Sequence, residues 1–397
     1  MSDTAEPLPL QAGIRSRSIS GVNGLNMHIL EAGFESDGPA AKRPLVLLLH
    51  GFPEIAYSWR KQMLPLAQAG FHVVAPDQRG YGRTTGGDTS FDGHWQSCRL
   101  LNFVRDLLFL VNALGRTHVA AVIGHDFGSP VAAWAALSRP DIFRSVMLMS
   151  APFAGAPDTP FGAPVTGHGT ENAFQRMTRV VGELETLTPA RRHYQWYYSG
   201  PDANHDMRDC PQGLHDFLRA YYHVKSADWS GNKPFALQAA TAQEFAKLPH
   251  YYVMELDRNM AQTVEPHMPH PSEVANCQWL PDEALAVYVR EYTRTGFQGG
   301  LQCYRCATDI GQYQELSLFS GRRIEVPSAF IAGKADWGVF QSPGAFEKMQ
   351  SQSCTDLRMC KLIEGAGHWV QQERPEEVTA SIREFLAMTC SLPAVPG

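Results

Sequence analysis

The feature that most constrains this chain is an apolar run that leads straight into Gly124-His125-Asp126-Phe127-Gly128 and then into a helix-forming stretch. Residues 119–123 read as a short buried strand, and residues 130–137 as the start of a helix. A strand joined to a helix over so few residues must turn sharply, which requires backbone to pass close to backbone. Glycines at both ends of the turn permit that approach, and the residue between them is thrust out beyond the sheet edge. The arrangement has the form of the nucleophile elbow, G-x-S-x-G, with aspartate in place of serine. On its own the pentapeptide would equally suit a solvated turn, because Gly and Asp are common turn residues.

The surroundings of the turn decide between these readings. Further apolar runs at 45–49, 73–75 and 146–149 read as buried strands, with helical spacing at 59–69 and 99–114 between them. This alternation predicts an α/β fold with a mostly parallel central sheet flanked by helices. From Ala151 to about Arg323 the strand signal stops, and aromatic and polar residues dominate, with helical stretches near 176–184, 214–224 and 283–295. An inserted helical cap is the expected form of that segment. Strand patterns return at 326–331 and 359–363, a closing helix covers about 375–388, and the Pro-rich tail after Cys390 is expected to fray. The expected division is a core, first part, at 1–152, a cap at 153–312, and a core, second part, at 313–397. A chain of 397 residues, 44% hydrophobic, is long enough for both units.

The groups that an elbow nucleophile requires follow in the right chain order. His50-Gly51-Phe52-Pro53-Glu54 leaves the strand at 45–49, and the backbone N–H groups of Phe52 and Phe127 are expected to face an oxyanion at Asp126. The Phe52-Pro53 bond is expected to be cis, which would turn that amide toward the nucleophile. Asp336 leaves a late strand, and His368, in Gly365-Ala366-Gly367-His368-Trp369, lies beyond the last one. Asp77-Gln78-Arg79-Gly80-Tyr81-Gly82 is a further turn near the front of the sheet. Each residue alone has an ordinary structural explanation; nucleophile, acid and histidine in order, each at a strand exit, point to a catalytic triad.

On HGFPE followed by Tyr57-Ser58-Trp59-Arg60, on APDQRGYG, GHDFG, and GHW with QQERPEEV, the chain resembles the soluble, microbial-type epoxide hydrolases of the α/β-hydrolase superfamily. The likeness covers 15–155 and 290–390 and is local in the cap. There FQGGLQCYR (297–305) resembles the segment in which the family carries one ring-opening tyrosine, here Tyr304. HYQWY (193–197) resembles the segment that carries the other, here Tyr194, with Tyr197 and Tyr198 as alternatives on nearly the same helix face. Eleven of the thirteen tyrosines fall between Ala151 and Arg323, so any single one could equally be aromatic packing. The resemblance implies the α/β-hydrolase fold and hydrolysis of an epoxide to a vicinal diol through an alkyl ester on Asp126. His368, oriented by Asp336, would activate the water that cleaves the ester. His50, Pro53, Trp59, Gln195, Trp337 and Trp369 are expected to contact the substrate, and no cofactor or metal is expected. The chain departs from the family's commoner pattern at Phe127, where Trp is usual, in GKADWG around the acid, and across 200–282, which matches nothing familiar. The extra phosphatase domain of the vertebrate enzymes is not expected here.

The chemistry of the residues agrees with this expectation. A carboxylate with a reference pKa of about 4 is ionised at neutral pH and can attack a saturated carbon without help from a base. An epoxide oxygen leaves as a strongly basic alkoxide, so proton donors must wait above the nucleophile, and phenols supply them. A halide needs N–H donors instead; Phe127 has none to give, and Trp337 or Trp369 would have to replace it, which makes haloalkane or haloacid dehalogenation the second reading. A non-catalytic ligand-binding protein on the same fold would tolerate loss of a triad member, and none is lost.

Net charge is −6, with Lys and Arg dispersed, so nothing draws the chain to nucleic acid or to an anionic membrane, and a small, neutral, hydrophobic substrate is expected. No apolar run reaches about 18 residues and the N-terminus lacks a leader pattern, so a cytoplasmic protein is expected. Eight irregularly spaced cysteines suit reduced thiols, and the close pair Cys303 and Cys306 has no second pair with which to hold a metal. Oligomeric state stays open, a homodimer included.

Overall fold

Three of the four strands that lead into the site are buried along their whole length, and the fourth, at the sheet edge, is partly exposed. The computed structural model describes residues 6–34, 43–157 and 171–390, so the tail after Cys390 lies outside the described residues. In chain order the sheet strands are β1 (Ile14–Val22), β2 (Leu25–Ala32), β3 (Leu45–Leu49), β4 (His72–Pro76), β5 (Ala121–His125) and β6 (Val146–Met149). Two cap strands follow, β7 (Arg191–His193) and β8 (Val253–Glu255), and the sheet is completed by β9 (Ser328–Gly333) and β10 (Leu357–Ile363). Every residue of β3, β4, β5, β6 and β9 is buried, which is why these segments read as continuous apolar runs: helices cover both sheet faces.

The eight-stranded sheet runs β1-β2-β4-β3-β5-β6-β9-β10. β1 and β2 pair antiparallel with each other, and β2 does so with β4, while the pairs from β4 onward are parallel. Parallel strands send their C-terminal ends to one edge. The loops after β3, β5, β9 and β10 therefore emerge together, and these are the loops that carry Phe52, Asp126, Asp336 and His368.

Three features differ from the sequence reading. The β1–β2 hairpin was not anticipated, although Asn23-Gly24, with φ of 49° and 82°, is the turn pair such a hairpin favours. The elbow strand begins at Ala121 rather than Val119, which makes only a lone parallel bridge to Phe143, and it extends to His125. The cap is not purely helical, because β7 and β8 pair antiparallel within it. At three residues each they are too short for a period-two pattern to show.

The cap's principal helices are Ala173–Glu185, Gly213–Lys225, Asp282–Thr295 and Gln298–Ala307, with a shorter one at Tyr194–Ser199. Its unfamiliar middle holds Gly213–Lys225 and four short helices from Ala203 to Asn276. Tyrosine hydroxyls fasten the cap to the loop after β3: Tyr222 donates to Pro53 O (3.0 Å), Tyr292 to Glu54 O (3.2 Å), and Tyr288 pairs with Ser58 (2.8 Å). Behind them Arg83 reaches across to Glu291 at 2.6 Å. All eight cysteines are free; Cys303 donates to Gly300 O, and Cys306 to Trp95 O. Among the described residues, no helix is long and apolar enough to cross a membrane.

Candidate active site

The elbow works because two glycines let the chain pass through itself. A Cβ on Gly124 would sit 1.9 Å from Gly128 O, and one on Gly128 would sit 2.4 Å from Leu49 O. Between them Asp126 adopts φ of 52°, in the left-handed region that a short polar residue tolerates best after glycine. The result is a carboxylate lifted off the sheet. Asp126 and Phe127 are half-buried, whereas Gly124, His125 and Gly128 are buried.

Around Asp126 the converging loops place opposing charges and donors. Phe52 N–H donates to Asp126 Oδ1 at 2.8 Å, and the Phe52-Pro53 peptide is cis. Among the described residues the Phe127 N–H makes no matching bond to that carboxylate. Gly51 leaves the room, since a Cβ there would lie 2.2 Å from Asp126 Oδ1. His368 Nε2 stands 3.3 Å from Asp126 Oδ2, an ion-pair distance, but off the line that a hydrogen bond requires. Its Nδ1 lies 3.1 Å from Asp336 Oδ1 and 3.0 Å from Ser150 Oγ. Asp336 Oδ1 also accepts the Gly338 N–H at 2.7 Å, which fixes the carboxylate that orients the imidazole.

The electrostatics follow from this packing. Burial alone would favour a neutral Asp126, yet the adjacent His368 imidazole, with the charges of His125 and Lys225, holds its carboxyl well below the usual range. Burial likewise opposes a charged His368, but Asp336 and Asp126 outweigh it and raise the imidazole to about 9. At neutral pH the resting site is an imidazolium between two carboxylates.

A second layer, wholly buried at Glu54, His125, Gln371 and Gln372, steadies the first. His125 Nδ1 is 2.8 Å from Glu54 Oε2, and its Nε2 is 2.7 Å from His368 O. Gln371 and Gln372 donate to the remaining Glu54 positions. Glu373 accepts three backbone N–H groups, from Ala227, Gly367 and Trp369, each at 2.9 Å, and so ties the histidine loop to the cap.

Aromatic rings form the roof. Tyr304, on helix Gln298–Ala307, packs on Phe52 (centroids 5.5 Å apart) and over Phe127 (6.4 Å). Its helix reaches the core because Gly299 and Gly80 meet backbone to backbone; a Cβ on Gly299 would lie 2.1 Å from Gly80 O. Tyr194 begins helix Tyr194–Ser199, with its ring 5.9 Å from that of Tyr304. Its hydroxyl donates to Gln341 Oε1 (3.3 Å) and accepts from Gln195 Nε2 (3.2 Å). Burial, with the charge of Asp126 behind it, pushes both phenols well above 10, so both keep their protons. The alternatives also have partners, Tyr197 donating to Asp206 and Tyr198 to Tyr221, but the charge of Asp126 is felt at Tyr194 and is not among the causes that shift those two.

The other expected site residues are distributed unevenly. Gln195 stands at the Tyr194 hydroxyl. Trp369 packs against His368 (4.6 Å) and Tyr222 (4.5 Å), with its N–H spent on Tyr222 O. His50 is fully buried: Nε2 accepts the Gln78 N–H, so Nδ1 carries the proton it shares with Gly51 O. Pro53 is buried beneath Tyr222, and Trp59 is sealed in the core. Trp337 packs on Phe235 (4.9 Å), and its buried N–H has no partner among the described residues. Ser150, the Glu54–His125 pair, Gln341 and Lys225 were not anticipated, and of these only Glu54, within HGFPE, and His125, within GHDFG, had a sequence signal.

Comparison with known proteins gives a consistent result. Residues 44–375 match the family model described as alpha/beta hydrolase fold. The chain is similar to epoxide hydrolase A of Mycobacterium tuberculosis, at 32% identity over 94% of this chain and 98% of that protein. It is equally similar to an epoxide hydrolase of Caballeronia sordidicola, at 32% identity over 95% of each. Among solved structures, an epoxide hydrolase from an endophytic Streptomyces superposes with a TM-score of 0.73 at 30% identity, covering 95% of this chain and 96% of that one.

Proposed function

The chain belongs to the epoxide hydrolases of the α/β-hydrolase-fold family, and from that premise we propose how its residues divide the conversion of an epoxide to a vicinal diol. The observation that carries the reading is an ionised carboxylate at the elbow beneath two protonated phenols. Asp126 Oδ1 is held by the Phe52 N–H, which leaves Oδ2 as the attacking atom. As it bonds to a ring carbon, the carbon–oxygen bond of the epoxide breaks, and Tyr304 or Tyr194 hands its proton to the departing oxygen. His368, oriented by Asp336 and Ser150, then takes a proton from water, and the hydroxide adds to the ester carbonyl. The Phe52 and Phe127 amides stabilise the tetrahedral oxyanion, each donor contributing about 3 kcal/mol, and collapse releases the diol.

Gln195, Trp337 and Trp369 are read as substrate-facing, with His50, Pro53 and Trp59 shaping the wall behind them. Core segments at 1–152 and 313–397, with a cap at 153–312, belong to the same reading. So do a small, neutral, hydrophobic epoxide, a cytoplasmic location and a homodimer as the assembly to test first. The unpartnered indole N–H of Trp337 is the observation that favours dehalogenation as the second reading, and a brominated alkane run beside the epoxides distinguishes the two.

The deciding experiment uses His368→Gln. With an epoxide this variant should accumulate an adduct of one substrate mass on the peptide that contains Asp126, without catalytic release of diol. In isotopically labelled water, one turnover of the parent enzyme should give unlabelled diol, because the first oxygen delivered comes from Asp126. Labelled diol together with an unmodified variant would mean direct attack by water and would sink the assignment.

A further inference from the structure

The helix Gly213–Lys225 ends inside the molecule on a lysine. Lys225 is 3% exposed, and among the described residues no carboxylate or carbonyl pairs with its ammonium. Four tyrosine rings surround it instead. Nζ lies 4.8 Å from the ring centroid of Tyr252, 4.9 Å from Tyr221, 5.5 Å from Tyr251 and 5.7 Å from Tyr194. A buried cation without a counter-ion is costly, and ring quadrupoles offset only part of that cost. The charge is also felt beyond the cage: it helps to hold Asp126 ionised and opposes protonation of His368. The backbone fixes lysine and histidine in register. His368 N–H donates to Lys225 O at 2.9 Å, and a Cβ on Gly367 would meet Lys225 O at 2.6 Å.

We propose that Lys225 is an electrostatic positioning residue for the second half of the reaction, a fixed cation that holds His368 in its neutral, proton-accepting form once Asp126 has become an ester. The inference rests on the division of labour given above. In the resting enzyme the titratable groups facing His368 are Asp126, Asp336, His125 and Lys225, with Glu373, raised by burial to about 7, bonded to the backbone on either side of it. Asp336 and Asp126 prevail, and Glu373, present in parent and variants alike, does not distinguish them. Alkylation turns Asp126 into a neutral ester and removes one of them. The lysine's charge is unchanged, so the balance swings toward release of the imidazole proton at the moment a base is needed. Protons close over the cycle. The one His368 sheds replaces the one the phenol gave to the epoxide oxygen. The one it then takes from water leaves it again an imidazolium beside a regenerated Asp126 carboxylate.

The test separates formation of the ester from its decay. Parent enzyme, Lys225→Met, Lys225→Gln and Lys225→Arg are mixed with a slow aryl epoxide and quenched, and the Asp126 adduct is followed by mass spectrometry from pH 5 to 10. In both neutral variants the midpoint of the adduct-decay profile should move to higher pH by about one unit or more. Decay below the midpoint should then be about tenfold slower, recovering in alkali. Lys225→Arg, which keeps the charge, should keep the parent midpoint even if it is slower throughout. Using two neutral side chains of similar length prevents a packing fault in one from deciding the outcome. An unmoved midpoint in both, or the same loss at every pH, overturns the proposal. Failure of the parent and of His368→Gln to form any adduct overturns the Asp126 nucleophile itself, and this inference with it.

Discussion

Tyr304→Phe and Tyr194→Phe each delete one hydroxyl and leave the aromatic roof in place. Each is expected to slow alkylation by about 10²-fold, the lower range for loss of a general acid, while leaving decay of the Asp126 ester near the parent rate. The double variant should retain almost no ring opening; full activity in it would return both phenols to the status of packing. Asp126→Ala should abolish turnover outright, and it is a cleaner test than asparagine, which the hydrolytic groups could convert slowly back to aspartate. At this scale the convergence of Asp126, Asp336 and His368 was legible because each stands in a short motif at a strand exit. Ser150 and Lys225 were not, because a serine after a strand and a lysine ending a helix are common, and only folding brings them to His368. All three neighbouring tyrosines spend their hydroxyls on partners, and what sets Tyr194 apart from Tyr197 and Tyr198 is that it feels the charge of Asp126, which no sequence pattern shows.

Contacts between elements decide whether the donors reach the nucleophile at all. Gly299→Ala would push a methyl into the Gly80 carbonyl and force the helix bearing Tyr304 off the core. The expected result is a loss of roughly 2–4 kcal/mol of stability, seen as a lower melting temperature, with alkylation impaired more than ester hydrolysis. Gly182→Ala is the control: it sits inside helix Ala173–Glu185 with open space around it, and should stabilise by about 0.5–1 kcal/mol. Equal effects from the two would show that the Gly80–Gly299 contact does not set the position of Tyr304. Core strands and long helices were readable because burial imposes a period on them. The β7–β8 pair was not, since three-residue strands carry no period, and the β1–β2 hairpin was passed over despite its Asn-Gly turn.

For the molecule as a whole, the charged site makes stability depend on pH. His368 is raised from 6.5 to about 9 in the folded state, so its contribution is fully present below 6.5 and is lost as pH rises through 9. Asp126 is depressed from 3.8, so its contribution is present above that value and is lost only as acid reaches the lower folded value. The rise at His368 owes more to Asp336 than to Asp126, so the two contributions overlap only in the His368–Asp126 contact; that of His368 is about 3 kcal/mol. The melting temperature of the parent should therefore fall between pH 7 and 10.5 by more than that of His368→Gln. Parallel curves for the two proteins would remove the imidazolium from the resting state. Fold class and the order of the catalytic groups were visible at this scale in the alternation of strand and helix. How the cap seats on the core was not, because it depends on tyrosine hydroxyls and glycine contacts between distant parts of the chain.

The Glu373 clamp has a consequence for the order in which the molecule is made. Its carboxylate secures the Ala227 N–H, 146 residues upstream, together with those of Gly367 and Trp369 on either side of His368. A ribosome delivers Lys225 and its ring of tyrosines long before it delivers the carboxylate that fastens them. Through most of synthesis the nascent cap can close on the earlier loop through Pro53, Glu54 and Ser58, but the end of helix Gly213–Lys225 lacks its clamp. That clamp arrives with the last segment, which in the same stroke brings His368 to Asp126.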